Sequence, residues 1–288
     1  MKNFYAEVLI SCDDDDYRPL IFKIFDVTEQ NVHLFRFFSA VIMMSKKEIR
    51  EEETMNLIRA QRDQLFEYGP FTIRRQRPGE SLGPLAVIDQ MTLKMDAHIP
   101  LHTHKDDEIF SYVWRGSAQH LSEDGEITAL NTKRAMVVSA GSGVRFAESA
   151  PFIETEMLQV YIRPSYSGGE SRVQTFSRAA DAPANSWTLL AGPESSDAPM
   201  LLRQDVLIFD LKIVRGVEVD VPHLQGYSSW ISVLDGIVQV GEARLLQGDA
   251  ISEQGALPPV RGERDATLIA FLVRDAATAV MSGTVSGS

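Results

Sequence analysis

The sequence predicts an all-β fold made of two tandem β-barrels in one chain, preceded by a short N-terminal extension. From residue 70 onward, short runs rich in β-branched and aromatic residues alternate with glycine and Asp-Gly turns, a pattern typical of barrels and sandwiches. A polar stretch rich in Gly, Ser, Ala and Pro interrupts these runs. The blocks on its two sides are weakly similar to each other, which indicates a duplicated β unit.

Composition limits the classes of function. The 288 residues suffice for two domains, and 44% hydrophobic with 24% charged residues is the balance of a globular protein with a sizeable core. The net charge of −12 argues against direct nucleic-acid binding and against anionic membranes, which both require clustered Lys and Arg. The single cysteine, Cys12, excludes an intrachain disulfide framework and fits a reducing compartment. We therefore expect a cytoplasmic protein.

Residues 1–54 differ from the rest and are predicted to form the N-terminal extension. They include the most apolar stretch of the chain, 32–44, and a highly charged segment, 45–54. The apolar stretch is shorter than the ~20 residues of a membrane helix, and Arg36 interrupts it. One interpretation is a helix that packs on the body of the protein. The other is that translation starts at Met55, because Lys-Glu and Glu-Glu-Glu codons resemble a ribosome-binding site; the intact mass of the natively expressed protein distinguishes the two.

The N-terminal barrel is predicted over residues 55–165. The runs 85–99 and 108–130 carry β-branched and aromatic residues, and the Asp-Gly pair within 123–126 marks a hairpin because it tolerates the positive φ of a tight turn. Shorter β-type runs follow at 135–139, 144–148 and 153–163.

The polar stretch 166–186 is predicted to be a linker, and residues 187–288 are predicted to form the C-terminal barrel. Aligning Gly236 with Gly116 places an apolar strand before, and a second strand after, a glycine turn in each half. This correspondence is the basis for expecting tandem barrels.

Two histidines one residue apart, His102 and His104, are the strongest chemical signal in the sequence. Residues i and i+2 of a strand point to the same face, so both imidazoles can enter a barrel. Neutral imidazole suits iron, manganese, zinc, nickel or copper, so the pair does not select a metal. Without a metal, the same pair could line a polar pocket or form hydrogen bonds with Glu108.

The stretches "HTHKDDEIFSYVWRGSAQHLSEDGE" (102–126) and "VSAGSGVRFAES" (138–149) resemble the pirin family of bicupins. The first resembles the HxHxxxE strand and glycine hairpin of cupins in general. The second corresponds to the Gly-rich turn after which pirins carry a His-x-Glu pair. The resemblance covers about residues 60–275. It implies two jelly-roll-like cupin barrels, with a mononuclear metal, usually iron, in the N-terminal one.

The resemblance also implies a ligand set and shows where this chain departs from it. Glu148 takes the position of the family's ligating glutamate, and Phe146 stands where the family has a third histidine. The remaining set, His102, His104 and Glu148, is in type the two-histidine, one-carboxylate arrangement of non-haem iron oxygenases. Glu108 is a ligand in many cupins, although in pirins it normally lies beside the metal. The expected cofactor is Fe(II) or another divalent transition metal, held by a weakened site.

Other histidines receive weaker predictions. Under the glycine alignment, Pro222 and Leu224 stand opposite the two histidines of the first barrel. His223 then has the wrong parity and should face away from the barrel interior, so the C-terminal barrel is predicted to lack metal ligands. His120 matches a histidine of the family's hairpin and is expected to be a surface or hydrogen-bonding residue.

The first functional hypothesis is an oxidoreductase. The resemblance implies a metal-dependent dioxygenase of the quercetin 2,3-dioxygenase type, with Glu108 or Glu148 as the nearest candidate base. Tyr112, Trp114 and Phe146 are candidate walls for an aromatic substrate, although aromatic residues in strands more often pack in the core.

The second hypothesis is a non-enzymatic, regulatory protein without a metal, which binds a small molecule or another protein. The missing histidine at position 146 favours this hypothesis, whereas the retained pair and Glu148 favour the first.

Overall fold

The computed structural model describes residues 5–10, 18–23, 55–79, 82–179 and 183–285. The chain divides into two compact units, Met1–Glu53 and Thr54–Ser288. In the first unit, strands β1 (Tyr5–Ile10) and β2 (Arg18–Lys23) pair as an antiparallel hairpin. The remainder of the predicted extension, including the apolar stretch 32–44, lies outside the described residues.

The second unit begins with strand β3 (Asn56–Ile58) and one turn of 3-10 helix (Ala60–Arg62). An eleven-stranded sheet within the described residues then forms the first barrel, and its main path runs β4-β5-β6-β13-β8-β11-β10-β9-β12-β7, with β14 paired to β11. Its strands are β4 (Gln64–Glu67), β5 (Phe71–Gln76), β6 (Leu85–Leu93), β7 (Ala97–His104), β8 (Glu108–Arg115), β9 (Ser117–Ser122), β10 (Ile127–Asn131), β11 (Arg134–Ser139), β12 (Val144–Ala150), β13 (Thr155–Ile162) and β14 (Arg172–Ser177).

The second barrel consists of a sheet in the order β16-β15-β17-β24-β19-β22-β3 and a smaller sheet in the order β18-β23-β20-β21. Its further strands are β15 (Thr188–Gly192), β16 (Met200–Leu201), β17 (Val206–Ile213), β18 (Glu218–Val219), β19 (Tyr227–Asp235), β20 (Ile237–Val240), β21 (Ala243–Leu246), β22 (Ala250–Glu253), β23 (Val260–Gly262) and β24 (Ala266–Arg274). The prediction of an all-β chain with two tandem barrels is confirmed. No helix of the described residues is long and apolar enough to cross a membrane.

Two strands pair with partners that the domain boundaries predicted from the sequence did not assign to them. Strand β3 falls in the range assigned to the N-terminal barrel, yet it pairs with β22 of the second barrel, with Ile58 opposite Ala250. Strand β14 lies inside the stretch 166–186, predicted to be a linker, and pairs with β11 along its whole length. Both segments supply hydrogen-bond partners to a strand that would otherwise present an open edge.

Alternation along β8 decides which side chains enter the first barrel. Ile109 and Val113 pack in the apolar cluster of that barrel. Phe110 and Tyr112 point to the opposite face, where they join a second cluster that includes Trp230 of the C-terminal barrel. Strand β8 is thus buried on both faces, one inside its own barrel and one at the junction of the two barrels.

The two glycine turns that suggested a duplication share a backbone conformation. Gly116 and Gly236 have φ angles of 86° and 88°, in the left-handed region that favours glycine. A Cβ added at Gly116 would lie 2.6 Å from the carbonyl oxygen of Glu154, and one added at Gly236 would collide with the backbone of Asp265 and Ala266. Each turn therefore requires glycine for two reasons. The backbone adopts a left-handed conformation, and the neighbouring backbone leaves no room for a Cβ atom.

Replacing Gly236 with alanine is expected to lower the free energy of unfolding by about 2 kcal/mol or more, because the left-handed conformation alone costs 1–2 kcal/mol and the collision adds to it. Urea denaturation measures the loss. Gly216→Ala is the matched control, since Gly216 also has a positive φ of 82° but an added Cβ there meets nothing within 4 Å. Equal losses in the two variants would show that close approach is not the cause.

Candidate functional site

Strand β7 brings His102 and His104 together, as predicted. The centroids of their rings lie 4.9 Å apart. Nδ1 of His102 lies 2.8 Å from the carbonyl oxygen of Pro100, and Nδ1 of His104 lies 3.2 Å from Oδ2 of Asp107. Because a carbonyl or carboxylate oxygen accepts, both Nδ1 atoms donate and each Nε2 keeps its lone pair. Metal-binding histidines are commonly oriented in this way.

The Nε2 atom of His104 is a buried polar atom with no hydrogen-bond partner among the described residues. An unpaired buried nitrogen is costly. His102 is less buried, and desolvation lowers the pKa of its imidazole. The His102 side chain therefore favours the neutral form that a metal ligand or a hydrogen-bond acceptor requires.

Phe146 occupies the space between the histidines. Its ring is 1% exposed, and its centroid lies 4.8 Å from that of His102 and 5.1 Å from that of His104. The pairing of β12 with β7 sets this contact, because it places Phe146 directly opposite His102. A carbon ring thus lies where the resemblance implies a third nitrogen ligand.

His120 is a third histidine of the cluster. It was predicted to be a surface or hydrogen-bonding residue, and the structure excludes the surface position. The side chain is 1% exposed, and its ring centroid lies 4.5 Å from that of Phe146. Both of its ring nitrogens lack a hydrogen-bond partner among the described residues. Burial, with a smaller contribution from His102, lowers the pKa of His120 to about 4. The inward position of Ala118, two residues earlier on β9, is the alternation signal that indicates this burial.

Glu148 is buried in the same barrel but binds a different partner. Its Oε1 accepts a hydrogen bond of 2.8 Å from Nε2 of Gln159, and Oε1 of Gln159 accepts one of 2.6 Å from the hydroxyl of Tyr161. Burial raises the pKa of Glu148 to about 7, and the bond from Gln159 opposes this shift only in part. Sequence reasoning missed Gln159 and Tyr161, although a glutamine within the mainly apolar run 157–162 of β13 is a signal for an internal hydrogen bond.

These side chains do not fit the predicted three-ligand metal centre. Among the described residues, no group of three or more His, Cys, Asp or Glu side chains is arranged to hold a metal ion. The histidine pair has the correct tautomer and an orphaned nitrogen, but Phe146 contacts both imidazoles and Glu148 is engaged by Gln159. Two of the three predicted ligands, His102 and His104, therefore lie side by side, whereas Glu148 is bonded to Gln159 instead.

Glu108, Tyr112 and Trp114 do not line this site, contrary to the sequence prediction. Tyr112 and Trp114 both pack on the junction cluster, and the Tyr112 hydroxyl donates to Oδ2 of Asp210 on β17 at 3.1 Å. The indole N–H of Trp114 donates to Glu156 at 3.0 Å. All three residues have even numbers on β8, whereas the face toward the barrel interior carries the odd-numbered residues.

Glu108 faces the boundary between the barrels. Its Oε2 accepts hydrogen bonds from the Ser139 hydroxyl at 2.8 Å and from the backbone N–H of Arg203 at 3.4 Å. Burial raises the pKa of Glu108 to about 7, against the lowering effects of Ser139 and Arg203. Glu108 therefore forms hydrogen bonds at the barrel junction and is not placed to act on a ligand beside His104.

The second barrel has a different interior. Aliphatic side chains fill it, among them Leu211, Val233 and Leu268. His223 is exposed, but it lies in the loop before β19. Leu224, which the glycine alignment placed toward the interior, is 43% exposed as well, so the position of His223 does not follow from strand alternation.

A cleft of about 650 Å³ lies at the junction and is lined mainly by polar side chains, including Tyr166, Arg172 and Arg203. The Arg203 guanidinium donates to the carbonyl oxygen of Gly168 at 3.1 Å and lies 5.9 Å from the centroid of the Tyr166 ring. The ring of Tyr166 is 55% exposed. The cleft therefore offers an exposed ring and guanidinium groups at the junction of the two barrels.

Two consecutive β-barrels, with a histidine pair in the first and an aliphatic interior in the second, define a bicupin. The family model described as Pirin matches residues 48–162, and the model described as Quercetinase C-terminal cupin domain matches residues 189–271. The chain belongs to the pirin family.

Similar proteins carry two kinds of name. A quercetin 2,3-dioxygenase of Escherichia coli is 26% identical over 192 residues, which is 65% of this chain and 81% of that protein. A pirin-like protein of Caulobacter vibrioides is 26% identical over 190 residues, 65% of this chain and 82% of that protein. Among solved structures, bacterial pirin YhhW from Escherichia coli in complex with nickel(II) superposes with a TM-score of 0.69 and 19% identity, covering 77% of this chain and 100% of that one. The structural likeness establishes the shared fold.

Proposed function

We propose that this protein is a pirin-type binding protein of regulatory function, which recognises a small molecule or a protein partner without using a metal. The observation that carries this proposal is Phe146, whose buried ring contacts His102 and His104 at the position of the missing ligand. The junction cleft of about 650 Å³ has the size of a small-molecule pocket, but its lining is mainly polar where such pockets are mostly apolar. The net charge of −12 supports a partner other than nucleic acid or an anionic membrane, and the single cysteine supports a cytoplasmic location.

The second candidate is an oxidoreductase of the quercetin 2,3-dioxygenase type with Fe(II) or another divalent metal. Two observations favour it: each imidazole of the pair keeps a free Nε2 atom, and several relatives carry that enzyme name. In this candidate His102, His104 and Glu148 would be the ligands, which requires Glu148 to leave Gln159 and Phe146 to move.

Metal analysis distinguishes the two candidates. We expect the full chain, purified without chelator and then exposed to Fe(II) under anaerobic conditions, to retain far less than one metal ion per chain and to leave quercetin unchanged. The His102→Ala, His104→Ala double variant is the control and should give the same metal content. Near-stoichiometric metal in the unmodified chain that is lost in the double variant would overturn the first proposal and support the oxygenase.

A further inference from the structure

The last described residues leave the second barrel and return to the first. The backbone N–H of Val280 donates to the carbonyl oxygen of Pro164 at 2.8 Å. Further along, the Thr284 N–H donates to the Lys105 carbonyl oxygen at 2.9 Å, and the Lys105 N–H donates to the Thr284 hydroxyl at 2.6 Å. We call residues 280–285 the C-terminal strap.

Gly283 allows the strap to approach the histidine cluster. An added Cβ there would lie 2.7 Å from the backbone oxygen of Asp106 and 2.8 Å from Oδ1 of Asp107, and both distances are shorter than real Cβ contacts. The other carboxylate oxygen of Asp107 contacts Nδ1 of His104. The strap therefore packs directly against the carboxylate of Asp107, and this carboxylate orients His104.

The end of the strap reaches the interior of the first barrel. Val285 packs against the apolar cluster that contains Phe146, Val138 and Met136. Met281, Ser282 and Thr284 are exposed, so the strap combines one buried glycine and one apolar contact with a largely solvated backbone. Segments of this kind, close to a chain end, open at low cost in free energy.

The loop under the strap has its own anchors. The N–H of Asp106 donates to the carbonyl oxygen of Gly141, and the N–H of Ala140 donates to that of Asp107. The carboxylate of Asp106 also accepts from the Ser167 hydroxyl at 2.7 Å. Since these bonds do not involve residues 280–285, the loop can keep its conformation when the strap leaves.

We propose that the C-terminal strap closes the mouth of the first barrel beside His104, so that a molecule from solvent reaches His104, the buried member of the histidine pair, only when the strap is displaced. This inference holds for either function proposed above, because it concerns access to the cluster and not the chemistry performed there.

The test is the rate at which diethyl pyrocarbonate modifies His104 in the full-length protein, followed by peptide mass spectrometry. In Gly283→Val we expect modification about tenfold faster than in the unmodified chain, a ratio equivalent to about 1.4 kcal/mol. Ser282→Ala, a change at the neighbouring exposed position, should leave the rate unchanged. Amide exchange at Thr284 should accelerate in Gly283→Val alone, which reports that the strap has left.

Faster exchange at Thr284 with an unchanged rate at His104 would overturn the proposal, because the strap would have opened without exposing the cluster. If Gly283→Val fails to fold, a variant that ends at Ala279 replaces it, with the circular-dichroism melting curve as the check on folding. Unchanged modification of His104 in a folded variant of that length would also overturn it.

Discussion

Phe146→His is expected to bind about one divalent transition-metal ion per chain, whereas the function proposed above predicts far less metal in the unmodified chain. A histidine at this position would face His102 directly across the β12–β7 pairing and would add a nitrogen donor to a pair whose Nε2 atoms are free. Removal of the phenyl ring also gives Glu148, on the same strand, space to approach. Three imidazoles and a carboxylate form a donor set that suits nickel, iron or zinc.

The gain is measured by the metal content after reconstitution and by titration calorimetry with Ni(II). Phe146→Leu is the matched control, because it removes the aromatic ring and supplies no donor. Equal metal contents in the histidine and leucine variants would contradict the assignment of position 146 to the metal site. Strong binding by the leucine variant would instead show that the phenyl ring alone excludes the metal.

Glu148→Gln is expected to increase stability at pH 8 and to change it little at pH 4. The pKa of Glu148 is raised from 4.5 to about 7 in the folded chain, so the folded state holds this proton more tightly than the unfolded state. Its contribution to stability is complete below about 4.5 and is lost as the pH rises through about 7. At pH 8 the wild-type chain has therefore lost up to about 3 kcal/mol that the neutral glutamine does not lose.

Urea denaturation curves at several pH values between 4 and 8 measure this difference. Glu126→Gln, a change at an exposed position of the β9–β10 turn, is the control and should follow the wild-type pH dependence. Parallel pH profiles for Glu148→Gln and wild type would show that the Glu148 carboxyl titrates normally. Because Glu108 also has a pKa raised to about 7, part of the wild-type pH dependence is expected to persist in Glu148→Gln.

Several features of the site follow from the sequence alone. The His-x-His spacing predicts two imidazoles on one strand face, and the glycine alignment predicts that His223 has the wrong parity for the second barrel. The first is a local consequence of the two-residue period of a strand, whereas His223 is exposed because it lies in the loop before β19. The sequence also shows directly that residue 146 is a phenylalanine. The motif around it resembles the pirin motif, which implies that this position carries a metal-ligating histidine in the family.

The prediction that Tyr112 and Trp114 line the site was wrong, and strand β8 shows the physical reason. Residues 108–113 are buried at every position, so hydrophobicity does not distinguish the face toward the barrel interior from the face toward the other barrel. Period-two alternation assigns Tyr112 and Glu108 to the same face, but only the packing of the second barrel identifies that face as the junction.

The sequence by itself determined that the two histidines share one strand face and that residue 146 is a phenylalanine, because these depend on residue identity or on spacing within one strand. Its resemblance to pirins also indicated the family, the two-barrel architecture and a third ligating histidine at the position of Phe146. Only the tertiary structure decided that His120 joins the cluster, that Gln159 engages Glu148 and that Gly283 closes on Asp107. These contacts join residues on different strands or distant segments, and their geometry depends on strand register and on the route of the chain between barrels. Neither property is encoded in any local stretch of residues.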